Sequence, residues 1–217
     1  MICVSIQEQD PQRCRQLLAR APMAELRADL CRFSTGQLEQ LVAEHPNLLI
    51  TCRVANSSPE VAEEQLCAAI RSGARYVDVE IEAPDALREA VRRTAQAHGC
   101  RFILSYHDFE GTPERESLDE TVRRCIGLGA ELVKIVTTAR TADEAETVLG
   151  LYDAHWPVPL VAFAMGEAGR FTRFECLKRG APYTYVAADD GRATAPGQYT
   201  QSQMEALLRQ AGLAINR

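Results

Sequence analysis

Eight short β-rich runs recur at a near-constant interval along this chain, and that rhythm restricts the fold more than any single residue does. They span residues 2–6, 24–29, 48–53, 76–81, 102–107, 132–136, 159–163 and 183–187, with starts 22 to 30 residues apart. Each interval holds one helix and two loops, which is what a parallel crossover needs. The stretches between carry helix signals. Asp10-Pro11 and Ser58-Pro59 each offer an N-cap followed by proline at the first helical position. Ser117 to Glu120 and Thr141 to Glu144 fit the capping-box spacing, and Gly73, Gly99 and Gly180 stand where helices should stop. Eight units of one kind, with no linker or repeat between them, predict a single-domain α/β chain over residues 1–217, a (β/α)8 barrel. An open doubly wound sheet is the competing arrangement, and it does not demand such even spacing.

The barrel has a testable consequence. Its outward strand face lies under helices and must be apolar, so polar strand residues face inward or sit at the C-terminal rim. The second run, Glu25-Leu26-Arg27-Ala28-Asp29, is charged at every odd position. The third ends Thr51-Cys52-Arg53, the fourth reads Tyr76-Val77-Asp78-Val79-Glu80, and the fifth ends Ser105-Tyr106-His107. On exposed edge strands these side chains would only meet solvent. Inside a barrel they form a ring of acids, arginines and one histidine at the end where barrel active sites lie.

The sixth run puts a lysine into that ring. Only two of the chain's 24 lysine and arginine residues are lysine, and one of them, Lys134, sits within the apolar run Leu132-Val133-Lys134-Ile135-Val136. A snorkelling or salt-bridged role is the plain alternative. However, an amine forms imines and a guanidinium does not, and a chain that otherwise uses arginine has kept the amine here. Of four histidines, His45, His98 and His155 fall at predicted helix ends, where a partly cationic ring complements the dipole. His107 alone ends a strand beside the lysine strand, which suits a proton carrier. No His/Cys/Asp cluster has metal-ligand spacing, so neither a metal nor another cofactor is expected. Gly166-Glu167-Ala168-Gly169 fits a phosphate-cradling loop or a tight βα turn.

Bulk properties exclude other classes. A net charge of −6 argues against nucleic acid as a partner. No stretch approaches the roughly 18 apolar residues of a membrane span, and the N-terminus turns polar too early for a secretory signal. The eight cysteines are scattered without Cys-x-x-Cys spacing, as buried small hydrophobes in a reducing compartment would be, so the cytoplasm is expected.

In order along the chain, these motifs together resemble the type I 3-dehydroquinate dehydratases, barrel enzymes that work through a lysine imine. The resemblance rests on Glu25-Leu26-Arg27-Ala28-Asp29, Thr51-Cys52-Arg53, Val77-Asp78-Val79-Glu80, Ser105-Tyr106-His107-Asp108-Phe109 and Val133-Lys134-Ile135. It continues through Met165-Gly166, Gly169, Thr172-Arg173 and Ala195-Pro196-Gly197-Gln198. It implies that Lys134 attacks the C3 ketone of 3-dehydroquinate and that His107 carries protons to and from the imine and the departing C1 hydroxyl. It further implies that Arg173, Gln198 and Thr194 hold the substrate carboxylate. Glu25, Arg27 and Arg53 would position ring hydroxyls, and Met165 would line the pocket. Asp78 and Glu80 are read either as orienting groups or as framework ion pairs.

The chain departs from the family pattern in places. A glutamate usually follows the strand-three arginine by four residues; here Val54-Ala55-Asn56-Ser57-Ser58 follows Arg53, leaving Asn56 or Ser57 to serve in its place. Phe163 stands where a smaller or sulfur-containing residue is common, and Thr172 and Thr194 replace serines. The chain starts directly at the first strand, without the hairpin that commonly plugs the barrel floor. The reading leaves room for a homodimer. Two alternatives stay open: another imine-forming barrel of the aldolase type, and a non-catalytic barrel that binds shikimate-pathway metabolites.

Overall fold

A computed structural model of the chain describes residues 1–45, 47–191, 194–195 and 197–213. Pro196, named in the motifs above, lies outside the described residues. Strands β1 (Ile2–Ile6), β2 (Ala24–Arg27), β3 (Leu48–Thr51), β4 (Tyr76–Glu80), β5 (Arg101–His107), β6 (Leu132–Thr138), β7 (Leu160–Met165) and β8 (Thr184–Ala187) form one parallel sheet. It runs β7-β6-β5-β4-β3-β2-β1-β8, so the sheet curls round until the last strand pairs with the first. Among the described residues no ladder joins β7 to β8. The Phe163 and Tyr185 rings meet across that seam instead, 6.0 Å apart. The result is a nearly closed (β/α)8 barrel, as the even spacing predicts.

The helices between the strands are α1 (Pro11–Leu18), α2 (Ala28–Cys31), α3 (Thr35–Glu44), α4 (Pro59–Arg71), α5 (Asp85–His98), α6 (Arg115–Gly127), α7 (Ala142–Leu149), α8 (Thr172–Lys178) and α9 (Gln201–Gln210). Asp10 and Ser58 cap α1 and α4 with proline behind them, as expected. Gly99 ends α5 at φ 68°, a conformation open to glycine at little cost. Two of the expected features differ. Ser117 and Glu120 lie inside α6 and form no capping box, because the extended Glu114 starts that helix at Arg115. Thr141 does cap α7, but Glu144 reaches back to the Arg140 amide rather than to that of Thr141. Capping boxes stand instead at Ser34/Gln37 and Thr200/Gln203, a Ser/Thr-x-x-Gln signal present in the sequence.

The strands sort their side chains as a barrel requires. Ile2, Val4, Leu26, Ile50, Val77, Leu104, Val133 and Ala162 belong to the apolar layer between sheet and helices. The inward set begins apolar at the N-terminal strand ends, with Met23, Leu49, Tyr76, Ile103 and Leu132. It turns polar towards the C-terminal ends, through Glu25, Thr51, Asp78, Ser105 and Lys134 to Arg27, Glu80 and His107. The floor is filled by aromatic rings: Tyr183 packs edge-on against Tyr76 at 6.3 Å and against Tyr185 at 5.5 Å. Asp29 is not a strand residue. The strand stops at Arg27, and Asp29 lies in the single turn α2, where its side chain returns to Arg27.

Candidate active site

A cavity of about 380 Å³ opens at the C-terminal rim. Its lining includes nine of the residues the sequence singled out, Glu25, Arg27, Arg53, His107, Lys134, Met165, Arg173, Thr194 and Gln198, but not Asp78. Strand alternation aims Glu25, Arg27, His107, Lys134 and Met165 at one space, and the nine come from six of the eight strand–loop units.

Lys134 is 4% exposed and stands at the bottom of this space. Its Nζ donates to Asp78 Oδ2 at 2.9 Å, lies 3.6 Å from Glu25 Oε1, and sits 4.4 Å from the Tyr185 ring centroid. The two carboxylates are themselves held. Ser105 donates to the second Asp78 oxygen, while Ser5 and Thr51 donate to Glu25. Burial pushes the Glu25 carboxyl up, but Lys134, Arg27 and the Ser5 hydroxyl outweigh it and keep the group below its ordinary value. Glu25 thus faces the amine in this structure, rather than standing free at the rim for a ring hydroxyl.

A second layer lies above. Arg27 pairs with Asp29 through both forks, Nε to Oδ1 at 3.0 Å and Nη2 to Oδ2 at 2.7 Å, and Asn56 donates to the same carboxylate. Arg53 reaches Glu80 with Nη1 at 3.0 Å and His107 Nε2 with Nη2 at 2.7 Å. The Phe109 ring stacks on His107 at 6.0 Å and lies under the Arg53 guanidinium. Burial, followed by Arg53, Lys134 and Arg27, lowers the His107 pKa well below its usual value, so the ring is neutral at pH 7. Neither Ser57 nor Asn56 supplies the acid absent after Arg53: Ser57 turns to the Ser58 carbonyl and Asn56 goes to Asp29. The carboxylate beside Arg53 and His107 is Glu80. Its place was visible in the inward alternation of β4, whereas its pairing joins neighbouring strands whose residues lie 27 apart in sequence.

On the opposite wall Arg173 is 1% exposed, and its Nε and Nη2 have no hydrogen-bond partner among the described residues. The guanidinium rests 4.3 Å above the Phe163 ring, and burial pulls its pKa down to about 10. A buried, unpartnered guanidinium is costly unless an anion arrives to meet it. Thr194 donates from both its amide and its hydroxyl to Gln198 Oε1, fixing that side chain nearby. Thr172 is committed elsewhere, bonded to the Ala164 amide and the Gly169 carbonyl. The Gly166–Gly169 segment is a tight βα turn. Gly166 has φ 82°, and a Cβ there would meet the Ala139 carbonyl at 2.8 Å, while one on Gly169 would meet the Met165 carbonyl at 2.5 Å.

The three other histidines stay out of the cavity. His45 caps α3 and contacts the Leu18 carbonyl at 2.8 Å, His98 closes α5, and His155 is exposed beyond the 3-10 turn Gly150–Asp153. All eight cysteines are buried thiols. Among the described residues no group of three His, Cys, Asp or Glu side chains is arranged to hold a metal, and no helix is long and apolar enough to cross a membrane.

Several 3-dehydroquinate dehydratases are similar to this chain in sequence or in fold. A 3-dehydroquinate dehydratase from Thermococcus gammatolerans is 36% identical over 195 residues, covering 87% of each chain. That of Syntrophobacter fumaroxidans is 38% identical over 146 residues, 66% of this chain and 61% of its own length. Among solved structures, the 3-dehydroquinate dehydratase of Geobacillus kaustophilus matches with a TM-score of 0.86 at 22% identity, covering 97% of this chain and 90% of that one. The Aquifex aeolicus protein of the same name gives 0.82 at 21%, over 99% and 100%. At such identity these two structures speak for the barrel. The family model for type I 3-dehydroquinase matches residues 2–214, and the chain belongs to that family.

Proposed function

We propose that this protein dehydrates 3-dehydroquinate to 3-dehydroshikimate through an imine on Lys134, acting as a hydro-lyase of the shikimate pathway without a cofactor. The observation that carries the proposal is the buried amine of Lys134 at the bottom of a cavity that also holds a neutral histidine. The amine attacks the C3 ketone, and the carbinolamine expels its oxygen as water. The resulting iminium acidifies the C2 proton. His107, neutral, takes that proton, and the electron pair is stored as an enamine. Collapse of the enamine breaks the C1–oxygen bond, and His107 returns its proton to the departing hydroxide, which leaves as water. A second water hydrolyses the product imine and frees Lys134, so one water is lost overall.

In this reading Arg173, with Gln198 and Thr194, clamps the substrate carboxylate, and the forked guanidinium makes the contact bidentate. Arg27 and Arg53 contact ring hydroxyls, together with Glu25 once its hold on Lys134 relaxes, and Met165 walls the pocket. The protein works as one catalytic barrel over residues 1–217, in the cytoplasm, with no nucleic acid partner and with a homodimer as its candidate assembly.

The test is direct. Protein mixed with 3-dehydroquinate should develop the ultraviolet absorbance of a conjugated enone carboxylate, and borohydride added during turnover should inactivate it and leave the ligand on Lys134. Ligand binding without absorbance would favour a non-catalytic barrel. A label on Lys178, or activity that survives borohydride unlabelled, would end the imine mechanism.

A further inference from the structure

His107 is held in a state that cannot yet move a proton. Arginine only donates, so the 2.7 Å contact from Arg53 Nη2 makes His107 Nε2 the acceptor and leaves the ring proton on Nδ1. The Nε2 lone pair, the one facing the guanidinium, is therefore occupied. Nδ1 has no hydrogen-bond partner among the described residues, although the ring is buried. Oε1 of Glu80 stands 4.0 Å from it, just beyond hydrogen-bond reach. The same oxygen accepts from Arg53 Nη1 at 3.0 Å. One carboxylate oxygen thus faces both the guanidinium that blocks the histidine and the ring nitrogen that needs an acceptor.

We propose that Glu80 is the positioning residue for His107, exchanging Arg53 for the Nδ1 proton as the site passes from resting to working state. The proposal rests on the dehydratase reading above. In this structure Glu80 and His107 share the forks of Arg53. When substrate oxygens draw Arg53 off, Nε2 is released for proton transfer and the Glu80 oxygen loses its cation. Closing the 4.0 Å gap then gives the Nδ1–H an ionised acceptor, which orients Nε2 and stabilises the imidazolium as it forms. The transferred proton moves only between Nε2 and substrate, and Glu80 stays a carboxylate throughout.

The other charges round His107 make Glu80 necessary. Arg53 from beyond β3, Lys134 on β6 and Arg27 on β2 all disfavour a second proton on the ring. The acids Glu25 and Asp78 are engaged with Lys134. Among the described residues, Glu80 is the carboxylate within 4.0 Å of the imidazole. It is also the inward acid whose own pKa is raised, by burial first, against the pull of Arg53. Two neighbouring groups pushed in opposite directions are the usual mark of an acid–base pair.

The test compares Glu80→Gln and Glu80→Asp with wild type, using 3-dehydroquinate as substrate. The amide can still accept from Arg53, so a purely structural role would survive the change to Gln. Expected for Glu80→Gln are a kcat lower by roughly 10- to 100-fold, a KM little changed, and an acid limb of kcat displaced to lower pH. Glu80→Asp keeps the charge and should hold the limb at its wild-type pH while recovering part of kcat. Wild-type kcat and limb in Glu80→Gln would overturn the assignment, as would a raised KM with unchanged kcat, which ties Glu80 to substrate through Arg53 alone. If Glu80→Gln does not fold, the limb of Glu80→Asp decides: held, it supports the role; displaced, it ends it. Absence of turnover in wild type would strike the dehydratase reading instead. Imidazole NMR titration of His107 in wild type and Glu80→Gln then tests Glu80 by itself, a lowered pKa supporting the pairing and an unchanged one overturning it.

Discussion

Lys134 Nζ lies 2.9 Å from Asp78 Oδ2 at the bottom of the cavity, with both side chains at most 5% exposed. An ammonium held this way is a structural ion pair and a stored nucleophile at once. Passing a proton away frees the amine for attack, while the carboxylates keep it aimed. Removing the amine strands Asp78 and Glu25 as neighbouring buried acids.

Lys134→Met should therefore abolish turnover and also cost about 3 kcal/mol, or roughly 6–12 °C in Tm for a chain of this size. Lys134→Met combined with Asp78→Asn should regain much of that stability and none of the activity. Lys134→Arg should be as inactive as Lys134→Met, since charge is not what the step requires. Calorimetry and the enone assay separate the two effects. A Lys134→Met protein as stable as wild type would show that the pair holds nothing together.

His107→Ala should fold and lose roughly 10²- to 10⁴-fold in kcat, the usual worth of a positioned acid–base group. His45→Ala, His98→Ala and His155→Ala should leave kcat unchanged, because none of those rings reaches the cavity. Of the three, His45→Ala alone should lower Tm measurably, through loss of its contact with the Leu18 carbonyl. A fall in kcat of less than tenfold for His107→Ala would remove it from the proton path.

How much of this could be read in the chain depended on the range of the interaction. The strands follow from local apolar runs, and the inward set follows from alternation once closure is assumed, which is why Glu25, Asp78, His107 and Lys134 stand out together. The end of β2 was not legible: Glu25 to Asp29 keeps a perfect alternation, yet Asp29 turns back to pair with Arg27, and nothing local announces it. The Arg53–Glu80–His107 arrangement joins β4, β5 and the loop beyond β3, so its members were visible and their partnership was not. The floor is similar. Tyr76 and Tyr183 sit over a hundred residues apart in sequence, and only barrel closure makes them touch.

Acid sensitivity follows from His107. Its folded-state pKa lies well below the unfolded value near 6.5, because burial and Arg53 oppose the charge. Between those two values the unfolded chain binds the proton and the folded one does not. Stability thus has no His107 penalty above about pH 6.5 and falls as pH drops below it. His107→Gln keeps the volume and removes the group, so its urea midpoint should decline less than that of wild type between pH 7 and pH 5. Parallel declines in both proteins would show that the folded ring takes its proton as readily as the unfolded one.

The Arg173 guanidinium is buried over Phe163, two of its nitrogens have no hydrogen-bond partner among the described residues, and burial pulls its pKa down to about 10, the position of a group waiting for an anion. Such a group costs stability in the empty protein and repays it only when a carboxylate docks. Arg173→Lys keeps a charge but loses the fork, and should raise KM roughly 10- to 100-fold, equivalent to about 1.5–3 kcal/mol of charge-assisted hydrogen bonding. Arg170, stacked on Tyr199 and directed at Gln203, should tolerate the same change without effect on KM. Arg173→Met removes the charge while keeping a long side chain over Phe163. It should raise Tm in the absence of ligand and eliminate measurable substrate saturation. A loss of Tm in Arg173→Met would mean that the guanidinium is already satisfied inside the protein, and the substrate carboxylate would then have to sit elsewhere.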